Sequence, residues 1–90
     1  MSTILITYDL NRPGQSYASL HERIKSLGAW AKPTDSTWLV SAWGQTAESV
    51  YNHIRPALDE TDRVLVFDVS GRSNTGWLPR RIWEWISQHV

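Results

Sequence analysis

The sequence contains no cysteine, so neither a disulfide framework nor a thiolate metal site is available. No stretch approaches the roughly 20 consecutive apolar residues of a membrane-spanning helix. An excess of one charge sign is also missing: nine Lys and Arg balance nine Asp and Glu. A domain that grips nucleic acid through its phosphates usually carries a basic excess or stripe, so any such contact here must be local. Arg72, Arg80 and Arg81 form the one basic cluster visible along the chain, and they are the expected nucleic-acid contacts. Met1-Ser2-Thr3 leads directly into the first strand-like run, which leaves no room for a signal peptide. The expectation is a cytoplasmic protein without membrane contact.

What the chain does have is tryptophan, six in 90 residues. Each indole can bury on the order of 150–250 Å², and some of that surface is expected at an interface. Ninety residues make one domain, near the small end of what folds without staples. Folding must therefore rest on apolar burial, completed by a partner subunit if the chain's own elements leave a face bare.

Hydrophobic patterning divides the chain into seven elements. Ile4-Leu5-Ile6-Thr7-Tyr8-Asp9-Leu10 is short, rich in Ile and closed by Asn11-Arg12-Pro13-Gly14, which predicts a buried strand and then a turn. Residues 15–27 carry Tyr17, Leu20, Ile24 and Leu27 at helical spacing, and Gly28 follows where a helix commonly ends in the left-handed conformation. Residues 29–32 and 37–43 predict a hairpin across a turn at Pro33-Thr34-Asp35-Ser36. Ala47, Val50, Tyr51, Ile54 and Leu58 stripe a second helix that Thr46 can cap. Pro56 should kink that helix, or stop it for a one-turn restart. Residues 64–69 predict a fourth strand. After a polar loop, Leu78, Ile82, Trp85 and Ile86 stripe a C-terminal helix behind Pro79.

This alternation predicts one α+β domain over residues 1–90, with its core at 3–70 and a Trp-rich extension at 71–90. Two right-handed crossovers then give a ferredoxin-like βαββαβ fold, its four-stranded antiparallel sheet in the order 4-1-3-2 with both main helices on one face. The opposite face is bare unless the terminal helix covers it.

In that topology Asp9 ends the first strand at a rim of the sheet. Ser36 and Thr37 should lie to one side of it and Asp62 to the other, with Asp68 at the opposite rim. A strand-end carboxylate can meet a metal or phosphate, or accept backbone N–H groups of its own turn. Mg²⁺ takes one or two carboxylates and keeps several waters, so Asp9 needs either Asp62 or a second copy of itself. For Asp62 alone the turn reading is favoured. His21, His53 and His89 are scattered, with no pair at metal-ligand spacing. Ser36 has no identifiable His-Asp partnership for a hydrolase triad. Residues 71–76 lack the Gly-Lys-Ser/Thr ending of a phosphate loop. The Trp rings can stack bases, although core or dimer packing accounts for them better.

From Tyr8-Asp9-Leu10 onward the chain resembles the CRISPR-associated Cas-two family and its relative, virulence-associated protein D. The likeness covers roughly residues 3–70. It is carried by the strand ending Tyr8-Asp9-Leu10, the helix ending Leu27-Gly28, the step Ser36-Thr37-Trp38 and Asp62 ahead of an apolar strand. The resemblance implies a ferredoxin-like homodimer that binds RNA or DNA and acts as a metal-dependent endonuclease. Asp9 would be its catalytic, Mg²⁺- or Mn²⁺-holding residue, with Tyr8, Ser36, Thr37 and Asp62 as neighbours. The alternative is a non-catalytic regulatory or scaffold dimer that binds a protein partner.

Overall fold

The computed structural model describes residues 2–10 and 17–90. The predicted turn at 11–14 and the first residues of the predicted helix 15–27 lie outside the described residues. The elements run β1 (Thr3–Asp9), α1 (Ala18–Lys25), β2 (Ala29–Thr34), β3 (Thr37–Ser41), α2 (Ala47–Ile54), a 3₁₀ turn (Arg55–Ala57), β4 (Arg63–Asp68) and α3 (Arg80–His89). The chain is thus α+β, with a four-stranded sheet in the order β2-β3-β1-β4. All three neighbouring pairs are antiparallel. This is the predicted 4-1-3-2 order read from the other edge.

Alternation along β1 sorts the two faces. Ile4, Ile6 and Tyr8 turn toward the main core, where they meet Leu20 and Ile24 of α1, Val50 and Ile54 of α2, and Trp38, Val40 and Ala42. Burying each such aliphatic side chain contributes on the order of 1.5–3 kcal/mol, which is what holds α1 and α2 against one face. Leu5 turns the other way. It joins Ala31, Leu39, Ile82 and Ile86 in a second, smaller cluster beneath α3. The helix is therefore not a dangling extension: it covers part of the sheet face opposite α1 and α2.

Local chemistry explains the boundaries. The Thr46 hydroxyl accepts from Ser49 N–H at 3.0 Å while Ser49 Oγ accepts from Thr46 N–H at 2.8 Å, a reciprocal cap that starts α2. At Pro56 the α-helix stops at Ile54 and the chain continues as one 3₁₀ turn. Strand β2 runs on through Pro33, beyond its predicted end, because it is an edge strand whose register shifts between Ala31 and Thr34. Gly28 is required for a different reason than a left-handed helix end. At φ +153° a Cβ placed there would stand 2.1 Å from the carbonyl oxygen of Ser41, so only glycine lets α1 hand over to the sheet edge. No helix among the described residues is long and apolar enough to cross a membrane.

Candidate functional site

The open half of the α3-side face is the place to look for chemistry. Residues sharing that face follow from the register: Asp9 opposes Arg63, Thr7 opposes Leu65 and Leu5 opposes Phe67 across the β1–β4 ladder. On the other flank Thr7 opposes Thr37 and Leu5 opposes Leu39. Helix α3 packs over Leu5, Leu39 and Ala31, nearer the β2 edge. Leu65 and Phe67 are left 52% and 55% exposed, forming an apolar strip along edge strand β4. Asp9 stands exposed at the rim of this strip.

Ser36 and Thr37 are where topology placed them. Tyr8 N–H donates to the Ser36 carbonyl at 3.1 Å, and the Thr7 and Thr37 hydroxyls lie 3.2 Å apart. The Tyr8 side chain, however, faces the main core, and its hydroxyl accepts from Trp38 Nε1–H at 2.9 Å. Asp62 has a structural job. Its Oδ1 accepts from the Tyr17 hydroxyl at 3.0 Å and its Oδ2 from Asp59 N–H at 2.8 Å, which ties the turn before β4 to the start of α1. Asp68 lies at the far end of β4, opposite Ile4. Hydrogen bonds with Ser70 hold its carboxyl below the usual carboxylate range, with Ser70 N–H donating to it at 3.0 Å.

Among the described residues no three His, Asp or Glu side chains gather where a metal ion could be held. Asp9 is accompanied instead by Arg63, a residue that periodicity alone did not single out. The signal was present: once β4 is antiparallel to β1, the residue after Asp62 falls opposite Asp9. A shallow hollow lined by Thr7, Tyr8, Asp9, Arg63, Val64 and Leu65 marks the spot.

The three arginines do not form one patch. Arg72 borders an apolar cleft of about 270 Å³ beside Leu78 and Trp83. Arg80 points to solvent and pairs with Glu84 at 3.4 Å. Arg81 borders a different cleft, beside Trp30, Lys32 and Trp85. Neighbours along the sequence diverge here because successive residues on a helix are turned by about 100°.

Neither a family model, a curated protein nor a solved structure matches the chain.

Proposed function

We propose that the chain is a ferredoxin-like, Cas-two-like homodimer that binds nucleic acid, with metal-dependent phosphodiester cleavage at paired Asp9 carboxylates as its chemistry. The observation that carries this reading is the half-covered sheet face, with exposed Leu65 and Phe67 running up to Asp9. Face-to-face pairing of two copies buries that strip and sets the two Asp9 rims against one another. Among the described residues one protomer alone gathers no metal-ligand set. Two carboxylates plus waters is a set that Mg²⁺ or Mn²⁺ accepts, and such an ion would polarise a phosphate. Arg63 supplies planar donors that fit a phosphate oxygen beside the carboxylate.

Cleavage of RNA and DNA oligonucleotides with Mg²⁺ or Mn²⁺ tests the chemistry. Asp9→Ala should abolish cleavage and leave the circular dichroism spectrum and the dimer intact. Cleavage persisting in the stringently purified variant contradicts the assignment. The balanced charge favours a second reading, a non-catalytic scaffold dimer that docks a protein partner. Nucleic-acid binding without cleavage by the unaltered protein selects a scaffold that still holds nucleic acid. A protein partner with no nucleic-acid affinity selects the regulatory form.

A further inference from the structure

The edge of the sheet far from Asp9 gathers cations and aromatic rings from four separate elements. Trp30 of β2 lies 42% exposed. Its ring sits tilted against that of Trp38, with centroids 5.1 Å apart. Lys25, the last residue of α1, holds its Nζ 5.1 Å from the Trp30 centroid. Lys32, two residues along β2, holds its Nζ 5.3 Å from the Trp38 ring. Around the strand edge, Arg81 and Trp85 of α3 join Trp30 and Lys32 in lining an open cleft of about 330 Å³. Lys25, Lys32 and Arg81 enter no ion pair among the described residues, so three cations are available around one exposed indole.

Two lysines and one carboxylate act on the neighbouring imidazole although the whole chain is neutral. His21, whose ring lies 5.6 Å from that of Trp38, has its pKa lowered by burial first and then by Lys32 and Lys25, with Glu22 opposing. Lysine on an edge strand is in itself a common guard against strand pairing. That role explains neither Arg81, which comes from a helix on the other side of the sheet, nor an indole left open between the cations.

We propose that the β2 edge binds single-stranded nucleic acid, with a base stacked on Trp30 and the backbone phosphates held by Lys25, Lys32 and Arg81. Stacking on an exposed ring beside backbone-tracking cations is how sequence-tolerant single-strand sites are built. A duplex keeps its bases stacked inside and offers Trp30 no free face, so it contacts only the cations. An acidic peptide would use the same cations and leave the indole unused. The inference rests on the nucleic-acid part of the proposed function and is independent of its cleavage chemistry and of its pairing face.

Fluorescence anisotropy of a labelled oligothymidylate of about 20 nucleotides, titrated with the full chain over a range of salt concentrations, tests the site. The variant Lys25→Gln/Lys32→Gln/Arg81→Gln should weaken binding more than about tenfold at low salt, and should flatten the log–log salt dependence by about 2. Trp30→Leu should weaken binding about 5- to 150-fold with the salt dependence unchanged, and Trp30→Phe should restore part of the loss. Lys25 and Arg81 are exposed and Lys32 is half-buried. Circular dichroism checks that the triple variant keeps its fold, and Lys25→Gln/Arg81→Gln, which alters only exposed positions, should weaken binding in the same direction. Binding that all these variants leave at the unaltered level overturns the β2 site while the proposed function stands. Absence of any oligonucleotide binding by the unaltered protein overturns both. Equal affinity for polyglutamate, insensitive to Trp30→Leu, overturns the inference and assigns the patch to acidic proteins.

Discussion

At His21 burial and charge act in the same direction. The ring packs beside Trp38, while Lys32 of β2 and Lys25 of α1 both oppose its protonation and Glu22 favours it. Its folded-state pKa is thus below the ordinary value of 6.5. Between those two values the unfolded chain binds more protons than the folded one, so stability rises with pH there. The contribution is complete above about 6.5 and is lost as the pH falls through the folded value. Urea unfolding at about pH 5 and about pH 7.5 should therefore show a smaller pH effect for His21→Gln than for the unaltered chain. Identical pH dependence in the two proteins contradicts this account. None of this was legible in the sequence. There His21 falls off the apolar stripe of its helix and reads as a solvated residue, because the groups that crowd it, Lys32 and Trp38, come from the later strands β2 and β3.

Elements were the most legible level, and each shortfall has a physical cause. The stripes of α1 and α2 name their buried residues: Leu20 and Ile24 in one, Val50 and Ile54 in the other. Strands β2 and β3 start where predicted, at Ala29 and Thr37, but β2 runs two residues past its predicted end and β3 stops two short of its own. Pro33 reads as a turn residue until the sheet order makes β2 an edge. Whether Trp30 and Trp38 share a face also needed the register, which sets Trp30 against Val40. Strands β1 and β3 are tied by a bond that no pattern announces, the donation of Trp38 Nε1–H to the Tyr8 hydroxyl. Trp38 is 2% exposed, so Tyr8→Phe leaves a buried donor without an acceptor and should cost about 1–3 kcal/mol. Equilibrium denaturation measures it, and a change below about 0.5 kcal/mol, typical of a surface substitution, contradicts the pairing as a contributor to stability.

For the whole molecule the decisive feature is that α3 covers the sheet unevenly. The helix is anchored at its end, where the Thr3 hydroxyl donates to the His89 carbonyl, and by Ile82 and Ile86 over Leu39 and Ala31. That placement closes the β2–β3 half of the face and leaves Leu65 and Phe67 of β4 open. Sequence predicted a helix with an apolar stripe, but not how far across the sheet it reaches. The reach is set by where the loop after β4 returns the chain. Asp9 was the residue that sequence placed at a rim; Arg63 and the β2-edge cations came into view only with the register and the packing of α3. The division of the faces gives the molecule two separate surfaces, an apolar one that the proposed pairing would bury and a cationic, aromatic one at the opposite edge.

Whether two copies meet with their Asp9 rims together can be read in one measurement. The chain has no cysteine, so Asp9→Cys introduces a single thiol, and a short bis-maleimide added in dilute solution reports on its distance from its twin. Proposed pairing through the Leu65 and Phe67 strip predicts a covalent product at twice the 10.3 kDa chain mass, lost when Phe67→Glu is added. A thiol that reacts fully yet leaves the chain at its single mass contradicts the pairing, and with it the shared carboxylate site.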